Sequence, residues 1–193
     1  MTTSQEQTTT TEPSDHDAQP CDAVVVRARG TGTATWALGS LYEKRVSAGE
    51  TGGQLGVSIV TQPPGMASPL HMHTREAEAW FILDGTMTYL ADDKLVDLGP
   101  GDFVYLPRGV PHGYRTTGST PVRFLALAVP GMLLNLYDEV GSPAAERRLP
   151  DGHAPAGEIA RWSELAPQYG LRIVGPPIPD AEAVAGQEHS HSQ

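Results

Sequence analysis

The chain has 193 residues, of which 39% are hydrophobic, and this suits a single globular domain. Thirteen Lys and Arg against 23 Asp and Glu leave a net charge of −10, which argues against nucleic acid as a partner because a polyanion would be repelled. The 21 glycines and 17 prolines favour many short strands over long helices, so the composition predicts an all-β fold.

The two ends of the chain differ in composition from the middle. Residues 1–22 are rich in Thr, Ser, Gln and acidic side chains, and predict a disordered tail without the basic start and apolar run of a secretion signal. Residues 180–193 predict a flexible tail, which leaves one domain over residues 23–179. No stretch approaches the roughly 20 apolar residues that span a bilayer. Cys21 has no partner for an intramolecular disulfide. We therefore expect a soluble, cytoplasmic protein with no membrane contact.

Short β-type runs bounded by turn residues fill the centre of the chain. Asp84 and Gly85 lie between two of these runs and predict a two-residue hairpin turn, because both positions tolerate a positive φ. The predicted strands are Gln54–Thr61, Ala79–Leu83, Thr86–Leu90, Leu95–Leu98, Asp102–Leu106, His112–Thr116 and Val122–Val129.

Helices are predicted only late in the chain. The segments Gly131–Val140 and Glu158–Tyr169 have helical patterns, and Gly170 is a suitable stop for the second.

Three histidines and one carboxylate provide a candidate metal site. His71 and His73 are two residues apart, so on a strand they project from the same face and can reach one ion. Glu78 has the wrong parity for the same strand, so we expect the chain to turn and bring it in from the neighbouring strand. His112 would supply a fourth ligand from a more distant segment. Glu76 is the rival carboxylate, and we interpret it as a solvated loop charge.

These residues lie in two motifs with fixed glycine spacing. Residues 65–85 read G-x5-H-x-H-x4-E-x6-G, and residues 101–116 read G-x5-P-x-G-x2-H-x3-T. Both resemble the signature motifs of the cupin superfamily, with nine specified residues in agreement and Thr116 in place of the usual Asn. Because the last position concerns a hydrogen bond at the end of a strand, the departure at Thr116 leaves the metal site intact.

The resemblance implies a cupin double-stranded β-helix, a jelly-roll barrel with short C-terminal helices and a metal inside. Its implied metal ligands are His71, His73, Glu78 and His112. Three imidazoles and one carboxylate suit a divalent Fe, Mn, Co, Ni or Zn ion, and the residue types do not choose among these metals. An enolisable substrate would bind to the ion as its anion, and Glu78 could take the proton as a general base.

Within the superfamily, the chain is most similar to single-domain, quercetin 2,3-dioxygenase-like bacterial cupins. That similarity implies a metal-dependent dioxygenase that acts with dioxygen on a flavonol-like or other enolisable aromatic small molecule. Two alternatives stay open. The first is a metal-dependent isomerase, cyclase or lyase, for example in polyketide tailoring, and the second is a non-enzymatic small-molecule-binding cupin.

Two further expectations concern surfaces and partners. The family commonly forms homodimers, so we expect a homodimer with residues 24–42 as candidate exchanged strands. We interpret most of the aromatic residues near the motifs as barrel core rather than as a substrate-binding wall. We assign no role to His153. The aromatic residues concerned are Trp80, Phe81, Tyr89, Phe103, Tyr105 and Tyr114.

Overall fold

The computed structural model of the chain describes residues 23–91 and 94–179. The predicted tails at 1–22 and 180–193, Cys21 and the centre of the turn between residues 91 and 94 lie outside the described residues. None of the helices in the described part is both long and apolar enough to cross a bilayer.

Strands dominate the described residues, and two short α-helices lie between β10 and the last strand, β12. The strands are β1 (Ala34–Ala37), β2 (Ser40–Val46), β3 (Gly56–Gln62), β4 (Pro69–His73), β5 (Ala77–Asp84), β6 (Thr86–Ala91), β7 (Lys94–Leu98), β8 (Phe103–Leu106), β9 (His112–Thr117), β10 (Val122–Val129), β11 (Ser142–Pro143) and β12 (Leu171–Pro177). The helices are α1 (Asn135–Val140) and α2 (Ala156–Leu165), and single 3-10 turns cover Ala48–Thr51, Gly131–Leu134 and Ala166–Tyr169.

The strands form two antiparallel sheets. The larger has the order β11-β1-β2-β3-β10-β5-β8, and the smaller has the order β12-β4-β9-β6-β7. From β4 to β10 the chain passes repeatedly from one sheet to the other. This arrangement confirms the predicted all-β, jelly-roll fold with short C-terminal helices.

Buried and less buried residues alternate along the strands, and the buried ones form the core between the sheets. In β3 and β10 every second residue is buried, as expected for strands with one face against a core. The main apolar cluster lies between the sheets and includes Trp80, Ile82, Met87, Tyr89 and Phe124. A second cluster joins α1 and α2 to the end of β10 and includes Leu136 and Trp162. The helices therefore close one end of the barrel.

The predicted hairpin at Asp84 and Gly85 is wrong. β5 pairs with β8 and β10, whereas β6 pairs with β7 and β9, so the chain changes sheets at this turn. Gly85 has a φ of 74°, and a Cβ there would lie 2.6 Å from the Pro121 carbonyl oxygen. The glycine is required by the close passage of the two chain segments, because a side chain would collide with the backbone.

Both predicted helical segments form helix, with shorter α-helical parts than expected. Gly131–Val140 divides into a 3-10 turn and α1, and the second segment divides into α2 and a 3-10 turn. Gly170 ends the second segment with a φ of 75°, the left-handed conformation typical of such a stop.

Candidate metal centre

Three histidines converge inside the barrel. His71 and His73 project inward from β4, and His112 projects inward from the adjacent β9, where it is the direct cross-strand partner of His71. All three side chains are buried, and one ring nitrogen from each lies within 4.8 Å of the other two. The two-residue spacing of His71 and His73 therefore places both on one face, as the sequence predicted.

Glu78 reaches the histidines from the opposite sheet. Its Oε2 lies 3.1 Å from His73 Nε2 and 3.8 Å from His112 Nε2. We expected Glu78 to come from a strand adjacent to that of the histidines, and this detail is wrong, because β5 belongs to the larger sheet and β4 to the smaller. The side chains thus come from both layers of the barrel.

Backbone carbonyls fix the orientation of two imidazole rings. His71 Nδ1 lies 2.8 Å from the Pro69 carbonyl oxygen, and His112 Nδ1 lies 2.9 Å from that of Val110. A carbonyl oxygen only accepts, so Nδ1 must carry the hydrogen and Nε2 keeps its lone pair. Metal-binding histidines commonly have this arrangement.

Unsatisfied nitrogens support a fit to a metal ion. His112 Nε2 and both ring nitrogens of His73 are buried and lack a hydrogen bond of good geometry. Buried polar atoms are seldom left in this state, because the lost hydrogen bond with water costs about 1–3 kcal/mol each. A cation among the rings would satisfy the inward lone pairs, so the residues present fit a divalent ion.

The electrostatics of the site favour neutral His71 and His112 beside an ionised Glu78, which holds a proton on His73. Burial, followed by the neighbouring histidines, lowers the pKa of His71 to about 4, and burial also lowers the pKa of His112. Burial alone would lower the pKa of His73 and raise that of Glu78. The attraction between these two side chains outweighs burial, so the pKa of His73 is raised and that of Glu78 is lowered.

Glu76 is not the solvated charge that we expected. Its side chain is 2% exposed, its Oε2 has no hydrogen-bond partner, and burial raises its pKa. The loop before β5 docks on the C-terminal segment, since the Thr74 N–H donates to the Gly170 carbonyl at 2.8 Å. Local sequence gives no sign of this long-range contact or of the burial of Glu76.

A cavity of about 590 Å³ opens onto His71 and Glu78. Its walls are largely apolar and include Trp80 and Phe124, whose rings stack with centroids 4.3 Å apart. Among the residues described, no Lys or Arg lines the cavity. The cavity therefore favours an uncharged ring over a phosphate or a second carboxylate.

Several cavity residues were missed by the sequence analysis. Tyr42, Gln62, Tyr137 and Trp162 come from β2, β3, α1 and α2, and all four contribute to the wall. None lies in either motif, so their assembly follows only from the fold. His153, to which we assigned no role, also lines the cavity.

The six aromatic residues near the motifs divide into two groups. Trp80, Tyr89 and Tyr114 are buried in the core, as interpreted, but Trp80 and Tyr114 also line the cavity. The interpretation is wrong for the other three, because Phe81, Phe103 and Tyr105 are 40%, 59% and 61% exposed.

Thr116, at the last position of the second motif, forms hydrogen bonds that hold a neighbouring segment of the chain in place. Its hydroxyl accepts from the Met66 N–H at 2.8 Å and donates to the Pro63 carbonyl at 2.8 Å. Both contacts hold the segment between β3 and β4, which forms one wall of the cavity. Threonine thus provides the strand-end hydrogen bonds here.

Comparison with known proteins agrees with this description. Residues 58–128 match the Cupin_2 family, described as a cupin domain. The quercetin 2,3-dioxygenase of Bacillus subtilis (strain 168) is 31% identical over 116 residues, which is 60% of this chain and 34% of that protein. The dimethylsulfoniopropionate lyase DddQ of Ruegeria pomeroyi is 41% identical over 63 residues, which is 32% of this chain and 31% of the lyase. The chain thus spans about a third of the length of each relative.

One solved structure illustrates the shared fold. A predicted oxalate decarboxylase from Thermotoga maritima is 24% identical, has a TM-score of 0.50, and matches over 55% of this chain and 99% of that one. At this identity the likeness concerns the fold alone.

Proposed function

We infer that this chain, which carries a cupin domain over residues 58–128, is a metal-dependent dioxygenase acting on a flavonol-like or other enolisable aromatic molecule. The observation that carries the proposal is that the histidine cluster adjoins a largely apolar cavity, which is lined in part by His71 and Glu78. Similarity to a quercetin 2,3-dioxygenase over 60% of the chain supports the reaction class. The chain covers 34% of that relative, so the activity is carried over as a proposal.

The proposed ligands are His71, His73, His112 and Glu78. A divalent Fe, Mn, Co, Ni or Zn ion held there would bind the substrate enol as its anion and lower the pKa of that enol. Glu78 is ionised and lies at the edge of the cavity, so it can accept the enol proton on a carboxylate oxygen. The rings of Trp80 and Phe124, which line the cavity, would pack against the bound ring and exclude water from it.

Oxygen uptake tests the proposal. The protein is loaded with Fe, Mn, Co or Ni in turn, and oxygen consumption and substrate loss are followed together with quercetin as substrate. We expect matched uptake and loss in wild type, and neither in His112→Ala, because that variant removes one imidazole from the cluster and should empty the site. A His112→Ala protein that keeps its full metal content contradicts the ligand assignment.

The second candidate is an isomerase, cyclase or lyase that uses the ion without oxygen. The 41% identity to a dimethylsulfoniopropionate lyase over 63 residues favours it. A site filled with metal that shows no oxygen uptake, but converts an enolisable compound into a product of rearrangement or elimination, would identify this class.

The partners proposed beyond the substrate and dioxygen include a second copy of the chain. In the structure β1 pairs with β2 and β11, and β2 pairs with β3, all within one chain. Exchange of residues 24–42 would place the pairs of β1 with β11, and those of Leu41 and Tyr42 with β3, between copies. Light scattering at micromolar concentration should give twice the mass of 20.5 kDa, and a monomer would contradict the proposed dimer.

A further inference from the structure

The outer surface of the larger sheet carries two rows of apolar side chains. In β3, β10 and β5 alternate residues point into the core, so the residues between them point outward. The strand register places in one outward row Ile59, Leu125, Phe81 and Phe103. The next outward row consists of Val57, Leu127, Ala79 and Tyr105. Neither row contains a charged side chain, and we call the two rows together the apolar face.

The apolar face stays open when residues 23–91 and 94–179 are all in place. Its three aromatic side chains, Phe81, Phe103 and Tyr105, remain exposed, and its aliphatic side chains are only partly buried. At roughly 200 Å² for a whole ring, the exposed fractions of the three rings already come to about 300 Å². Apolar patches of this size and above are the largest found on most monomers, and they commonly mark a contact surface.

The surroundings of the apolar face resemble the plan of a protein–protein interface. A stable interface buries about 800 Å² on each partner, with an apolar centre inside a polar rim. The apolar face has the size of such a centre. On one side it borders on Glu43, the cross-strand neighbour of Ile59, which forms ion pairs with Arg45 and Arg147. These charged groups provide a rim.

The occupant that suits this face best is a second copy of the chain. The terminal segments 1–22 and 180–193 contain no Leu, Ile, Phe, Tyr or Trp, so neither supplies the large apolar side chains that would cover the rings. The apolar face does supply them, and a two-fold dimer brings the same surface from both copies together. With a net charge of −10, two copies repel each other, and a contact through uncharged rows keeps like charges apart.

We propose that the apolar face is the surface on which a second copy of the chain docks, and that Phe103 and Tyr105 on the edge strand β8 are its main anchors. This inference rests on the proposed dimer for the occupant, but it places the contact outside residues 24–42. On β5, Phe81 points outward whereas Glu78 and Trp80 point inward. The second copy thus packs against the strand that holds one of the proposed metal ligands.

Sedimentation equilibrium of the metal-loaded full chain over a range of micromolar concentrations tests the proposal. Wild type should give twice the mass of 20.5 kDa. Phe103→Glu and Tyr105→Glu should each raise the dissociation constant of the dimer about 100-fold, because each removes an aromatic anchor and places a charge in the apolar centre. Both side chains are exposed in the single chain, so both variants should fold, and thermal unfolding followed by circular dichroism checks this.

Leu95→Glu is the matched control. Leu95 is as exposed as Tyr105 and also lies on an edge strand, but its strand β7 belongs to the smaller sheet. This variant should dimerise as tightly as wild type. An equal loss of dimer in Leu95→Glu would show a general effect of added negative charge and would overturn the assignment.

The remaining outcomes separate this inference from the proposals above it. A dimer that persists unweakened in folded Phe103→Glu and Tyr105→Glu overturns the apolar face as the interface and leaves exchange of residues 24–42 standing. A wild-type protein that is monomeric at every concentration overturns both the interface and the dimer, and leaves a terminal segment or a different protein as the occupant. None of these measurements involves turnover, so the proposed dioxygenase is decided separately by oxygen uptake.

Discussion

At the scale of single residues, His71 and His112 share a local device that fixes their chemistry. In each case Nδ1 faces the carbonyl oxygen of the residue two positions earlier, so the backbone sets both the ring orientation and the tautomer. The spacing of His71 and His73 predicts a shared strand face, and this was confirmed. The carbonyl contacts depend on backbone angles before each histidine, which the residue types do not reveal.

The first prediction separates the two glutamates of the first motif. Glu78→Gln should lower turnover about 100-fold, because the amide cannot accept the enol proton, while metal content falls less since an oxygen ligand remains. Glu76→Gln is the control, because Glu76 Oε2 has no hydrogen-bond partner and Glu76 acts on His73 through its charge, so turnover should fall far less than in Glu78→Gln. Metal analysis and initial rates check both variants. Unchanged turnover in Glu78→Gln removes it from the mechanism.

At the scale of elements, local pattern identified most strands but not all of their partners. Val122–Val129 was predicted with the bounds that the structure shows, because its alternation and its flanking turn residues are both clear. Asp84 and Gly85 were correctly identified as a turn, yet the following strand pairs in the other sheet. The dipeptide predicts that the chain turns, whereas the packing of distant segments determines which strand the next one pairs with.

The strand β12 shows a second limit of local pattern. It pairs with β4, which carries His71 and His73, but its Gly175, Pro176 and Pro177 obscure the β pattern. Proline lacks the N–H that a central strand needs, and β12 lies at the edge of its sheet, where this loss is tolerated. The sequence therefore predicts the helix before β12 more readily than the strand itself.

The second prediction concerns Gly170, which directly precedes β12. A Cβ at this position would lie 2.9 Å from Thr74 Oγ1, and the φ of 75° strains any other residue. Gly170→Ala should destabilise the protein by about 1–2 kcal/mol and weaken metal binding, because the displaced Thr74 adjoins His73. Urea unfolding and metal titration check both effects.

The control for Gly170→Ala is Gly157→Ala. Gly157 lies in α2, where a Cβ would meet no atom within 4 Å, so alanine should leave stability equal or raise it by up to about 1 kcal/mol. Equal stability of the two variants would contradict the strain assigned to Gly170.

At the scale of the whole molecule, the centre unites residues from both sheets. The jelly-roll fold and the four proposed metal ligands could be inferred from the resemblance of the two motifs to those of the cupin superfamily, and the all-β class from composition. The cavity could not, since Tyr42, Tyr137 and Trp162 lie outside the motifs and meet only after the helices close the barrel. Burial of Glu76 was also missed, because the residue types around it do not reveal which chain segments pack against it.

The third prediction concerns the acid stability of the metal-free protein. The pKa of His71 is about 4 in the folded chain and near 6.5 when unfolded, so the unfolded chain binds more protons in this interval. Stability is therefore lost as pH falls from 6.5 toward 4, and His112 acts in the same direction. His73 opposes the loss, because its raised pKa contributes stability that is fully present below pH 6.5.

The expected net loss between pH 7 and pH 5 is about 1–2 kcal/mol, since 1.5 pH units below 6.5 correspond to about 2 kcal/mol for His71 alone. Urea unfolding of protein treated with a chelator measures this difference. Equal or greater stability at pH 5 would contradict the assignment of neutral, buried imidazoles to His71 and His112. Returning the metal at pH 7 should raise the melting temperature, because only the folded chain assembles the cluster.

Because the proposed metal ligands come from both sheets, the metal centre would respond to movement of one sheet relative to the other. The three imidazoles belong to the smaller sheet and the Glu78 carboxylate to the larger one. Relative movement of the two sheets therefore changes the distance between Glu78 and His73. With a paramagnetic ion such as Mn²⁺ bound in the cluster, that movement would broaden the magnetic resonance line of the ion. Movement within the barrel would then be measured without an attached label.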